Sequence, residues 1–311
     1  MQDGEARRTL DELVTLYELE PEVRDLFVEG RSDRNFLKAH LLNGAGTALC
    51  NIYAVSDRVH IPDGELMAAG LMVGERGRIL WLAQQLSTRI PGHSSVALVA
   101  DKDFASLKAD VKEDVHGLFY TDYSSMEAYA LNEVTLTKLL RVSLGAPDYI
   151  SASSLISAVK PALIALFLIR LCLRDSGTGA TIPNKTLAKW DLDDQSEVKV
   201  GEVFRLALNG VPVRERNEQT PEKLYAKYIE YQGLVDSEFR NFVNGHDVSL
   251  VIVRFLKSEC PSVFNSDARR PLQNSDVLEV VLMSCVDTPS LTNEPMFRAI
   301  EAWIENNTRD S

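Results

Sequence analysis

The run Ser95–Ala100, SVALVA, is short, continuous and apolar, and it stops at Asp101-Lys102-Asp103. A strand with no polar face has to be covered on both sides, the situation of a strand inside a parallel sheet packed between helices. The segments around it supply the alternation that such a sheet needs. Asp25-Leu-Phe-Val-Glu29 reads as a strand, Gly30 as a turn, and Ser32 as the cap of a helix over Asp33–Leu42. Asn51–His60 alternates apolar with polar and is rich in β-branched and aromatic residues, so it reads as a second strand, ended by Pro62-Asp63-Gly64. A helix is expected over about Gly77–Arg89 and a fourth strand over Val115–Thr121. Through about residue 130 the chain is therefore expected to be α/β, a parallel sheet flanked by helices.

Beyond residue 131 the period becomes helical. Helices are expected over Val134–Val142, Ser153–Arg174, Pro221–Tyr231, Val248–Lys257, Asp276–Cys285 and Pro295–Asn306, after a first one at Leu10–Leu19. Glu202–Leu208 fits either a strand or a helix. The most apolar stretch, Pro161–Ile169, is about half the roughly 20 residues a bilayer needs, and reads as a buried core helix. The opening MQDGEARRTLDEL mixes charges and has no apolar core, so no signal peptide and no membrane are expected. Cys50, Cys172, Cys260 and Cys285 form no CxxC pair and read as buried free thiols, in keeping with a cytoplasmic protein.

Composition matters where anions are concerned. With 33 Lys and Arg against 45 Asp and Glu, the formal charge is −12. Adhesion to nucleic acid by bulk charge is excluded, so any phosphate must be met by a local basic patch or a metal. Acids follow three of the expected strands: Glu29 the first, Asp101 and Asp103 the third, Asp122 with Glu127 the fourth. Ligands of open parallel sheets bind beyond the carboxyl ends of the strands. Residues two apart on an extended chain face the same way, so Asp101 and Asp103 are expected to present both carboxylates to one point while Lys102 turns aside. Such a set suits Mg²⁺, and four or five clustered carboxylates would hold two ions for in-line phosphoryl displacement. The bland readings are a solvated DxD turn, and Asp33 placed for the positive end of a helix.

These residues resemble a known family. A Toprim domain opens with a strand, a Glu at its end and a Gly, and sets a DxD pair after a later strand; Phe27-Val28-Glu29-Gly30 and Asp101-Lys102-Asp103-Phe104 have that layout. The run Tyr120–Tyr129 and Asn244-Gly-His246-Asp247 are similar to Toprim-like proteins of anti-phage defence, the overcoming-lysogenization-defect nucleases and the AriB-type effectors of PARIS systems. The resemblance implies a Toprim-like catalytic domain over 24–130, between an N-terminal helical extension (1–23) and a helical C-terminal domain (131–311). It also implies a metal-dependent nuclease using Mg²⁺, or Mn²⁺ in its place, with Glu29 as general acid/base or ligand and Asp101 and Asp103 as ligands. Asp33 and Glu127 would be additional ligands or groups that hold the ligands from behind. Toxic cleavage of RNA, host tRNA in particular, an ABC-type ATPase partner and an active homodimer belong to the same implication. Lys102, Arg31 and Arg34 would meet substrate phosphates, or else neutralise nearby acids. Asp247 reads first as a helix cap; Arg76 and Arg78, in GERGRI, read as a phosphate-contacting turn or, ahead of that, as a solvated helix start.

Rival readings remain open. The chain could be a non-catalytic binding subunit of an ATPase, a DNA nuclease of the overcoming-lysogenization-defect type, or a phosphatase or nucleotidyltransferase using the aspartate pair on small phosphate esters. No GxxxxGK[ST] loop is present, so ATP hydrolysis would fall to another subunit. No G-x-S-x-G or HExxH motif occurs, which removes the grounds for serine-hydrolase and zincin chemistry.

Overall fold

The computed structural model describes residues 7–41, 50–108, 115–187 and 196–306; the expected helix end at Leu42 and the segment 1–6 lie outside them. The chain divides into two compact units. The described residues of Met1–Lys102, Val111–Asp122 and Asp287–Ser311 form one, those of Asp103–Asp110 and Tyr123–Val286 the other.

The first unit is built on a four-stranded parallel sheet. Its elements are α1 (Leu10–Leu19), β1 (Asp25–Val28), α2 (Arg31–Leu41), β2 (Asn51–Ala54), α3 (Val55–Arg58), α4 (Asp63–Ala68), α5 (Glu75–Arg89), β3 (Val96–Ala100) and β4 (Leu118–Tyr120). The strand order is β2-β1-β3-β4, with Phe27 opposite Tyr53 on one side and Leu98 on the other. All five residues of β3 are buried, as its unbroken apolar run requires. Trp81, Leu82 and Leu86 of α5 join Leu13, Val14, Phe27 and Leu98 in one core. Each fully buried Leu or Phe there contributes roughly 1.5–3 kcal/mol against exposure.

Two local expectations are corrected. The segment Asn51–His60 is strand only to Ala54; Val55–Arg58 is a helical turn, which buries Val55 and Val59 four residues apart. In so short a window both periods fit, and packing decides for the helix. Ser32 is not a cap: α2 begins at Arg31, and the Asp33 carboxylate accepts the Gly30 N–H at 2.8 Å. An unforeseen capping box opens α1, where Thr9 and Glu12 satisfy each other's N–H groups.

The second unit is mainly helical, with α6 (Glu133–Lys138), α7 (Ala152–Asp175), α8 (Asn184–Leu187), α9 (Glu197–Asn209), α10 (Pro221–Gln232), α11 (Gly245–Glu259) and α12 (Ser275–Ser284). Glu202–Leu208 thus lies within a helix. The apolar run at 161–169 belongs to a helix of 24 residues, long and apolar enough to cross a bilayer; 61% of its most apolar window is buried inside the protein. The chain then returns to the first unit with α13 (Thr288–Leu291) and α14 (Pro295–Asn306). There Met296, Phe297 and Ile300 are buried, and Phe297 stands edge-on to Phe36 at 6.2 Å. The four cysteines are buried and free.

Candidate functional site

In the order β2-β1-β3-β4, the chain leaves β1 toward one edge and β3 toward the other. The crevice at such a reversal is where open α/β sheets place ligands. Glu29 follows β1 and Asp101 follows β3, the two strands on either side of it. Their parallel pairing brings the segments together: the Asp101 N–H donates to Glu29 Oε1 at 2.8 Å. The Asp101 carbonyl in turn accepts from Arg76 Nε, in the first turn of α5, at 3.0 Å. The Lys102 N–H donates to Thr121 Oγ1 at 2.9 Å, and Lys102 Nζ to the Asp122 carbonyl at 3.0 Å. Side chains from three other segments therefore pin the peptide units at the end of β3.

Other acids and bases of this edge are committed elsewhere. Asp33 holds the Gly30 N–H. Arg31 grips Asp57 through Nε at 3.0 Å and a terminal nitrogen at 2.8 Å, and Arg34 reaches the same carboxylate at 3.2 Å. The hydrogen bond from Arg31 is the main reason that the Asp57 pKa lies below the usual carboxylate value. Both arginines thus neutralise an acid that sequence reasoning did not single out. Asp122 accepts the Met296 N–H at 3.1 and 3.3 Å, which makes it a brace for the start of α14.

The remaining acids belong to the helical unit. Strand alternation does not reach Asp103, since its φ is +51° and it opens a 3₁₀ turn over Asp103–Ser106. This left-handed conformation costs a non-glycine residue about 1–2 kcal/mol. The Asp103 N–H is tied to the Ser124 carbonyl at 2.7 Å. Arg174 lies 3.8 Å from the Asp103 carboxylate and over the Phe104 ring. Glu127 is buried in the turn Met126–Ala130, its carboxylate against Gly245 at the start of α11, where the helix dipole favours an anion. A Cβ on Gly245 would overlap that carboxylate and lie 3.0 Å from Ser125 Oγ. Ser125 Oγ is itself buried without a hydrogen-bond partner among the described residues. Asp247 is no side-chain cap: it is buried and holds Arg170 through two bonds of 2.7 Å.

Among the described residues no three His, Cys, Asp or Glu side chains are gathered to hold a metal ion. Glu29 and Asp101 nonetheless offer hard oxygens at adjacent strand ends, and one or two carboxylates suffice for a Mg²⁺ that keeps its waters and meets a phosphate. In donor chemistry the pair fits a single ion. No protein-family model and no curated protein matches the chain.

Proposed function

We propose that the chain is a Mg²⁺-dependent nuclease of the Toprim type that cleaves phosphodiester bonds in RNA, tRNA being the favoured class. In this reading it is the toxic effector of an anti-phage system held by an ABC-type ATPase, and it acts as a homodimer. The observation that carries the chemical part is the coupling of Glu29 to Asp101 across β1 and β3 at the point where the strand order reverses. The defence role, partner and RNA preference rest on the resemblance of the motifs described above.

Glu29 and Asp101 are the residues of the sheet unit that would hold the ion; a single ion of this kind does not require Asp103, which belongs to the helical unit. A bound Mg²⁺ supplies positive charge to the phosphoryl oxygens. The protein supplies orientation. The Asp101 N–H fixes the Glu29 carboxylate, which positions the attacking water and takes its proton. The Arg76 and Lys102 anchors keep the Asp101 peptide from shifting as charge develops.

Glu29→Gln tests the assignment, because the amide oxygen still accepts the Asp101 N–H while the charge and basicity are lost. Cleavage of end-labelled tRNA, other RNA and DNA is followed with Mg²⁺ and with a chelator. The variant is expected to lose about 10²–10⁴-fold in rate, as for removal of a general base, and chelation to stop the wild type. A variant as fast as wild type, or cleavage indifferent to chelation, removes the basis of the proposal.

A further inference from the structure

The cations around the sheet edge fall into two groups. Arg31 and Arg34 share Asp57, and Arg78 is bound to Asp63 and Glu75. Arg76 and Lys102 are different. Among the described residues neither makes an ion pair, and each is moored to a neutral main-chain carbonyl, Arg76 to that of Asp101 and Lys102 to that of Asp122. The mooring of Arg76 uses Nε alone, which leaves the four N–H groups of the two terminal nitrogens without a partner among the described residues. Both side chains are half-buried, so they are held in place yet open to solvent.

Arg76 is also costly where it stands. It occupies the first turn of α5, the end at which the helix dipole disfavours a cation. In a chain of net charge −12, carboxylates to neutralise it are not scarce. A guanidinium with its fork open is fixed on the carbonyl of Asp101, whose N–H Glu29 holds, and the ammonium of the next residue is fixed on the Asp122 carbonyl that follows β4. That arrangement matches a phosphodiester, whose non-bridging oxygens accept paired N–H donors from arginine and a point charge from lysine.

We infer that Arg76 and Lys102 form a phosphate clamp at the β1/β3 crevice, with Arg76 touching the nucleic-acid backbone directly rather than only stapling the end of β3. The inference rests on the phosphodiester reading of this crevice, but its test reads binding and not cleavage. A fluorescent single-stranded RNA, and a DNA of the same sequence, are titrated with the full chain in chelator across a salt series. For every phosphate of a single strand that the protein ceases to neutralise, the slope of log K against log salt falls by about 0.7. Arg76→Gln is expected to weaken binding about 3–10-fold and to lower the slope by about that amount, Arg76→Lys to keep the slope, and Lys102→Gln to behave like Arg76→Gln.

A staple gives another pattern: Arg76→Lys and Arg76→Gln, both deprived of the Nε bond, would match each other and leave the slope of the wild type. That result overturns the clamp, as does an unchanged affinity in Arg76→Gln. Should Arg76→Gln fail to fold by circular dichroism, an unchanged slope in Lys102→Gln together with a lowered one in Arg76→Lys refutes the proposal equally. Equal effects on RNA and DNA are the result expected of a clamp that reads backbone phosphates; a loss confined to base-specific binding counts against it. The two proposals fail separately. If Glu29→Gln cleaves like wild type while Arg76→Gln has a lowered slope, the clamp stands without the reaction, and the converse pair of results leaves the reaction without the clamp.

Discussion

Replacing Tyr17 by Phe probes the strand that carries Glu29. Asp25, the first residue of β1, is 1% exposed and accepts hydrogen bonds from Tyr17 Oη at 2.9 Å and Asn51 Nδ2 at 3.1 Å. Burial is the largest influence on this carboxyl and raises its pKa above the ordinary value, while the two hydrogen bonds oppose the rise. Phe fills the same ring volume, so no cavity complicates the change. The loss is one hydrogen bond to a charged acceptor, worth about 1.5–3 kcal/mol. Because the bond is lost mainly from the charged form, the Asp25 pKa must climb further in the variant.

The pH dependence has a definite sign. A carboxyl whose folded pKa is raised binds protons more tightly when folded, so its burial costs stability at neutral pH. That cost is relieved as pH falls through the folded pKa and has gone below the unfolded value of about 3.9. Tyr17→Phe should therefore destabilise by about 2 kcal/mol at pH 7 and by clearly less near pH 4. Asp25→Asn should abolish the difference between the two pH values. Because the chain has two compact units, the readout is hydrogen exchange at the amides of Leu26 and Phe27 rather than one global midpoint. A change below about 0.5 kcal/mol at pH 7, or an equal loss at both pH values, refutes the account.

Two further substitutions test the packing of each unit. Arg170→Ala leaves Asp247, whose side chain is 2% exposed, without its bidentate partner; a loss of roughly 3–5 kcal/mol is expected in urea unfolding, and a loss below about 1 kcal/mol contradicts the role given to the pair. Gly117 has φ +76°, and a Cβ there would sit 2.8 Å from the Val96 carbonyl oxygen, so Gly117→Ala is expected to cost about 2–4 kcal/mol in the thermal unfolding of the sheet unit. A midpoint equal to wild type would show that the β3–β4 register tolerates a side chain at this turn.

Strands and helices whose pattern is long or unbroken are legible in the sequence. SVALVA is the fully buried β3, and α1 and α14 have the bounds expected of them. Where the chain is short it is ambiguous, as at Val55–Arg58. The acids are harder to read, because a carboxylate's role depends on what meets it in space. Asp33 and Asp122 look like ligands in sequence, yet each engages a backbone N–H, the latter 174 residues away. Asp57 gives no signal because its partners, Arg31 and Arg34, lie on another element. Arg76 resembles a solvated helix start for a related reason: its partner is a main-chain carbonyl 25 residues on, and carbonyls leave no mark in a sequence.

The return of the chain to the sheet unit sets the timing of its construction. Residues of α14 supply Phe297 against Phe36, the Met296 N–H for Asp122, and Trp303 Nε1 for the Ser94 carbonyl. A nascent chain that has already made all four strands still lacks the first of these partners, Met296, until 174 residues beyond Asp122 have been translated. The helical unit can thus close first, and the edge bearing Glu29 is finished only when the loop around it has been spanned.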